Sequence, residues 1–154
     1  MFLLYNYWYS KLVRATNHKI QINKQLPSFY LTDINSKKVN SADFKGHPTI
    51  LMFFRGNWCP LCMAQIKEIV GYYQQLTALG AKIVLISPQP EKYTQTLAAK
   101  FNVDFHFMTD VNNEAARVLD IEMKNGLPMG MEVLGYQQDT VLPTVLITDE
   151  NGVI

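Results

Sequence analysis

Cysteine is scarce in this chain, and the shortage sets the first limit on what the protein can be. Only two are present among 154 residues, three positions apart. A disulfide-stapled scaffold would need more, spread along the chain. Histidine is scarcer than a metal site wants: His18, His47 and His106 lie far apart, and one cysteine pair supplies half of a four-ligand zinc set. No glycine-rich phosphate loop is present, so nothing implies a nucleotide or flavin, and no cofactor is expected. Charge of one sign is missing too. Fourteen Lys+Arg against 13 Asp+Glu leave a net charge of +1, which points to no nucleic-acid partner. There is no apolar run of the roughly 20 residues that a bilayer span requires, and there are no repeats. What remains is a chain with 48% hydrophobic residues, suited to one domain with a substantial core.

The first 25 residues read as an arm separate from a domain over residues 26–154. Met1 to Tyr9 are apolar or aromatic apart from Asn6, with no small-residue cleavage site. Tyr5, Tyr7, Trp8 and Tyr9, followed by Lys11, Arg14 and Lys19, have the pattern of an interfacial aromatic belt with a basic flank. Two readings stay open: the remnant of a membrane anchor, giving membrane association through residues 1–19, or an amphipathic arm packed on the domain. Neither fixes the compartment, cytoplasmic or extracytoplasmic.

From Leu26-Pro27 onward the pattern alternates strand and helix. Phe29, Leu31 and Val39 belong to short strand-like pieces around the turn Asp33-Ile34-Asn35-Ser36, and Ser41–Phe44 suits a helical turn. Thr49–Phe54 and Lys82–Ser87 are continuous runs of the kind found in strands covered on both faces. Between them Ile66, Ile69, Val70, Tyr73, Leu76 and Leu79 recur at helical steps up to Gly80, which predicts one long helix. A helix over Glu91–Phe101, a strand at Phe105–Met108, a short helix capped by Asp110, and a strand at Val145–Thr148 follow. Lys124–Asp139 reads as a loop. Asp149-Glu150-Asn151-Gly152 is a hairpin signal, and the chain stops at Ile154, two residues into the returning strand. The order predicts an α/β fold, a three-layer α/β/α sandwich with a central mixed sheet whose C-terminal strand and helix are cut short.

Chemistry concentrates at Cys59-Pro60-Leu61-Cys62. Cys59 follows a buried strand and a tight loop, where the next helix starts. The first N–H groups of a helix are unpaired and its dipole favours an anion, so a thiolate is stabilised there. Pro60 suits the first helical turn, where its missing N–H costs nothing. Cys62 lies one turn on, facing the same side. That spacing joins an exposed nucleophile to a more buried partner able to close a disulfide with it.

The segment Phe53-Phe54-Arg55-Gly56-Asn57-Trp58-Cys59-Pro60-Leu61-Cys62 resembles the active-site segment of the thioredoxin-like superfamily. It is more similar to the peroxiredoxin-like branch, the alkyl hydroperoxide reductase/thiol-specific antioxidant (redoxin) family. Leu26–Leu31, Asp43–Pro48 and Leu142-Pro143-Thr144-Val145 extend the resemblance. It implies a thioredoxin-like fold and a cis Pro143 that leaves the Leu142 backbone free for an extended substrate. Two mechanisms follow. In disulfide exchange Cys59 attacks and Cys62 resolves. In peroxide reduction Cys62 is the peroxidatic residue; Arg55 then stands where that family has proline, Cys59 where it has threonine, and Pro143 where it has an activating arginine. The buried acid that thioredoxins carry six places before the first cysteine is Phe53 here.

Arg55 has two readings, stabilising a thiolate or orienting peroxide on one hand and a surface charge on the other. Trp58 reads as shielding the thiolate and forming a docking surface, or as a partly packed aromatic, and the two are compatible. Met52, Met63 and Met108 read as core and Glu68 as solvent-facing. The expected activity is thiol-dependent oxidoreduction, on a protein disulfide or a hydroperoxide and with a thiol reductant system as partner. The alternative outside enzymology is a redox-inactive binding module of the same fold.

Overall fold

A computed structural model describes residues 17–154. The first 16 residues, and with them most of the expected aromatic and basic arm, lie outside the described residues. No helix among those described is long and apolar enough to cross a membrane.

Strands β1 (Tyr30–Asp33) and β2 (Lys38–Asn40) form a hairpin. Its turn is held by Asp33, whose carboxylate accepts the Asn35 and Lys37 N–H groups at 2.8 Å each. Asn40 and Asp43 then make a reciprocal capping box on the 3-10 turn Ser41–Phe44. β3 (Thr49–Phe53) leads through a loop into α1 (Pro60–Gly71) and α2 (Tyr73–Ala78), where the sequence predicts one helix. The break falls at Tyr72 (φ −97°, ψ 9°), next to Gly71, a poor helix former. Beyond it Tyr73 meets Phe105 edge-to-face at 5.5 Å between centroids. Leu79, expected on the apolar stripe, is consequently 75% exposed.

β4 (Lys82–Ser87) and α3 (Glu91–Phe101) follow. The helix ends as anticipated, with Asn102 in the left-handed region (φ 47°) closing it. β5 (His106–Thr109) delivers Asp110 to the start of α4 (Glu114–Val118). There its carboxylate accepts the Ala115 and Ala116 N–H groups at 2.8 and 2.9 Å. The expected loop that follows is bracketed by two short strands, β6 (Glu122–Met123) and β7 (Thr140–Val141), which pair antiparallel. β8 (Thr144–Thr148) closes the main sheet. Asp149 then accepts the Asn151 and Val153 N–H groups in the predicted turn, and residues 152–154 exchange backbone hydrogen bonds with residues 23–26.

The main sheet runs β2-β1-β5-β4-β3-β8, with β3, β4 and β5 parallel and the remaining pairings antiparallel. This is the mixed, three-layer α/β arrangement anticipated above. Because side chains alternate along a strand, each apolar run feeds two cores. Leu51, Phe53, Val84, Ile86 and Met108 face Phe29, Ala115 and Leu119. Met52, Phe54, Ile83, Leu85 and Phe107 face Cys62, Ile66 and Leu97. That double coverage explains why the central strands carry no polar alternation.

Burial raises the Asp110 carboxyl to about 6, against the pull of the two amide donors. A carboxyl that holds its proton more tightly in the folded state opposes folding when ionised. Its contribution to stability therefore improves as the pH falls from neutrality through 6 towards the unfolded value near 4. In urea unfolding, the wild-type stability relative to Asp110→Asn should improve by about 2 kcal/mol between roughly pH 7.5 and 4.5. A difference that stays constant with pH would show that Asp110 does not titrate in this range.

Candidate active site

The parallel ladder between β3 and β4 ends with the Phe54 N–H on the Ile86 carbonyl at 2.9 Å, and there the chain leaves the sheet. Gly56 turns it back, its carbonyl accepting the Cys59 N–H at 3.2 Å. Cys59 takes up the extended N-cap conformation (φ −91°, ψ 107°) and Pro60 the first helical position, as its sequence position predicts. Two donors converge on Cys59 Sγ: the Cys62 N–H at 3.4 Å and the Cys62 thiol at 2.7 Å. Both cysteines are free thiols and both are buried, Cys59 7% and Cys62 1% exposed, so the exposed nucleophile expected at Cys59 is largely covered, while Leu61 between them is 78% exposed. A disulfide of about 2 Å needs only a small approach of the two sulfurs.

The two thiols are inequivalent. Burial, and after it the hydrogen bond to Cys59, push the Cys62 thiol up to about 11. The backbone N–H of Arg55 and its guanidinium charge act in the opposite direction. At neutral pH Cys62 is a protonated thiol, with the Arg55 cation nearby to favour its ionisation.

Arg55 is thus no surface charge. Its Nη2 donates to the Gly126 carbonyl at 2.5 Å, and its guanidinium carbon sits 4.7 Å from the centre of the Trp58 ring. Arg55 Nε and Trp58 Nε1 are buried with no hydrogen-bond partner among the described residues. Gly56 is required where it stands: its φ is +151°, and a Cβ there would meet Trp58 Nε1 at 2.7 Å. Met52, Met63 and Met108 lie in or against the core and Glu68 is exposed, as expected.

The expectation for Pro143 and Leu142 requires correction. All described peptide bonds are trans, that of Pro143 included. The Leu142 backbone is not free either. Its N–H donates to the Ile121 carbonyl at 2.8 Å, continuing the β6–β7 ladder by one step, and its carbonyl accepts the Thr144 hydroxyl at 2.9 Å. Cys59, Cys62, Trp58, Pro60 and Arg55 share one loop and helix start. Leu142 and Pro143 form the β7–β8 link.

Sequence reasoning assigned no role to Asn57, Gln89, Gly126 or Tyr136, yet these hold the cysteine loop. Asn57 donates its backbone N–H to Gln89 Oε1 at 2.9 Å and accepts the Tyr136 hydroxyl on its side-chain oxygen. Tyr136 stacks on Tyr93 with centroids 4.9 Å apart and planes 3° from parallel. Pro88-Gln89-Pro90 reads in sequence only as a helix breaker, and a tyrosine inside a polar loop gives no sign of a partner 79 residues away.

The chain is similar to several known proteins of thiol redox chemistry. A thiol-disulfide oxidoreductase ResA of Bacillus cereus is 24% identical over 138 residues, covering 90% of this chain and 69% of that protein. Chloroplastic peroxiredoxin Q of Populus jackii is 27% identical over 96 residues, 62% of this chain and 45% of that one. In three dimensions the peroxidoxin BcpB of Mycobacterium tuberculosis superposes with a TM-score of 0.70 at 17% identity, covering 87% of this chain and 82% of that one. Residues 22–154 match the model of the AhpC/TSA family, so the chain belongs to that family and is a thiol-dependent oxidoreductase.

Proposed function

We propose that the protein catalyses thiol–disulfide exchange, with Cys59 as the attacking thiolate and Cys62 as the resolving thiol. The inequivalence of the two sulfurs supports this reading. Cys59 lies at the start of α1 with two donors directed at its sulfur, which suits an anion. Cys62 is more deeply buried and holds its proton.

In the first step Cys59 S⁻ attacks one sulfur of a substrate disulfide. The Cys59–substrate bond forms, the substrate S–S bond breaks, and one substrate thiolate leaves. Cys62 then gives up its proton, to the leaving thiolate or to water, and attacks Cys59 Sγ. The mixed disulfide breaks, the second substrate thiolate leaves, and the Cys59–Cys62 disulfide has delivered two electrons. A thiol reductant must reduce that disulfide before the next cycle. In place of a buried carboxylate, the charge that eases ionisation of Cys62 is the Arg55 guanidinium, because Phe53 belongs to the apolar core.

One observation favours a second reading, peroxide reduction. The unpartnered N–H groups of Arg55 Nε and Trp58 Nε1 lie beside the dithiol and could bind a hydroperoxide oxygen. Attack by Cys62 itself is disfavoured at neutral pH by its 1% exposure and its raised thiol.

Stopped-flow reaction of the reduced protein with a protein disulfide, and separately with hydrogen peroxide, separates these readings. Exchange predicts fast disulfide reduction, its loss in Cys59→Ser, and a trapped mixed disulfide in Cys62→Ser. Peroxide consumption that survives Cys59→Ser and disappears in Cys62→Ser would overturn the proposal in favour of a peroxidase.

Arg55 allows a second test. Removing the cation disfavours the Cys62 thiolate, so Arg55→Gln should move the pH midpoint of the resolving step upward and slow that step about tenfold at neutral pH. Arg55→Lys, which keeps the charge, should recover part of the loss. A resolving step with the same pH profile in Arg55→Gln would remove the guanidinium from the mechanism.

A further inference from the structure

A chain of buried polar contacts runs from the sheet to the cysteine loop. Thr109 donates its hydroxyl to Thr94 at 3.0 Å, and Gln89 Nε2 donates to the same Thr94 oxygen at 3.2 Å. These groups come from β5, the start of α3 and the link after β4, and all three side chains are at most 4% exposed. The other end of the Gln89 amide accepts the Asn57 backbone N–H, and the Asn57 side chain accepts the Tyr136 hydroxyl. Asn57 is thus held on its backbone from the sheet side and on its side chain from the segment between β6 and β7. It occupies the middle of the turn whose closing bond, Cys59 N–H to Gly56 O, sets Cys59 at the helix start.

Paired polar groups that are wholly or partly buried in this way fix geometry, since releasing one leaves its partner unsatisfied. The tyrosine is itself anchored. Its ring lies flat on Tyr93, whose hydroxyl donates to the Leu134 carbonyl at 3.1 Å. The same segment is tied a second time at its beginning, through Arg55 Nη2 to Gly126. Nothing else in the arrangement requires a phenol directed at the cysteine loop.

We infer that Tyr136 and Gln89 are positioning residues for the dithiol, acting through Asn57 to hold the Gly56–Cys59 turn and so the placement of Cys59 Sγ against the first N–H groups of α1. Neither residue touches substrate in this role. Loss of either lets Asn57 move and misplaces the nucleophile, an effect that falls on the attack step. The inference rests on the reading of Cys59 as the attacking thiol.

A double-mutant cycle on Tyr136 and Asn57 tests it, with stopped-flow attack of the reduced protein on a nitrobenzoate disulfide as readout and thermal unfolding recorded in parallel. Tyr136→Phe keeps the ring on Tyr93 and removes only the hydroxyl. It should lower the maximal attack rate about tenfold, the loss of one buried hydrogen bond, with little change in the concentration giving half-maximal rate. Asn57→Ala should show a loss of its own, and adding Tyr136→Phe to it should cause no further loss. An unchanged rate in Tyr136→Phe, losses that multiply in the double variant, or rates that only follow the melting temperature would each overturn the inference. If Tyr136→Phe does not fold, Gln89→Met, which removes the oxygen facing the Asn57 N–H, replaces it in the comparison, with slowing expected beyond any change in melting temperature. Cys59→Ser serves as the reference: retained attack in that variant would defeat the exchange reading itself, whereas an inactive Cys59→Ser beside a fully active Tyr136→Phe would defeat only the positioning role.

Discussion

Everything at the active site depends on one pairing, the parallel ladder of β3 and β4. Its register runs from Thr49 opposite Lys82 to Phe53 opposite Ile86, and the Phe54 amide adds a last bond to the Ile86 carbonyl. That bond fixes the point where the backbone leaves the sheet, and only four residues separate it from Cys59. A slip of one residue would exchange the two faces of β3, turning Met52 and Phe54 away from Ile66 and Leu97 and exposing apolar side chains to the wrong layer. The two cores therefore fix the register, and the register fixes the reach of the cysteine loop. Gly56 and Asn57 refine the position within a frame that apolar burial has already set.

The frame exacts an electrostatic cost. Packing α1 against the sheet brings Cys62 into the same cluster as Met52, Phe54 and Leu85, and a thiol in such surroundings resists ionisation. A resolving thiol must ionise, if only briefly. Thioredoxin-like proteins with a buried acid nearby can hand the proton to a carboxylate, but here that position is Phe53, packed edge-to-face on Phe29 at 6.3 Å. What this chain has near the dithiol is a cation, Arg55, held over Trp58 and tied to the Gly126 carbonyl. A cation cannot accept a proton. It lowers the free energy of the thiolate itself, and on the proposed exchange reading the proton passes to the leaving substrate sulfur.

What the sequence made legible was whatever local pattern determines. Apolar runs marked β3 and β4, helical spacing marked α3, and C-x-x-C at a strand–helix junction marked the dithiol. Apart from the cis Pro143 carried over from the family resemblance, the misreadings involve tertiary contacts. Helical periodicity continues through Tyr72, but the reach of Tyr73 towards Phe105 favours a break there, and Leu79 is left in solvent. The Leu142 backbone was expected to be free because the family resemblance implied a cis Pro143; that bond is trans, and Ile121 pairs with Leu142. Gln89 and Tyr136 were silent, since one hydrogen bond between distant residues leaves no periodicity. The chemistry was readable at the level of residue type, while the supports that orient it were not.

The same geometry bears on the choice between disulfide and peroxide. A peroxidatic thiol has to be ionised and reached by a small oxygen electrophile, and Cys62 fails on both counts at neutral pH, being almost fully enclosed and pushed up to about 11. Cys59 is the sulfur with donors directed at it and the one nearer solvent. On the proposed reading, peroxide reduction would form the sulfenic acid on Cys59, with Cys62 condensing onto it and water leaving. That reverses the roles implied by the peroxiredoxin pattern, in which Cys59 merely fills a threonine position. On that proposed reading, either substrate then meets the same order of events, Cys59 first and Cys62 second. On the same reading, the chain's departures from the peroxiredoxin pattern at Arg55, Cys59 and Pro143 become intelligible as one change: the attacking sulfur sits one helical turn back, at the helix start, where the dipole favours an anion.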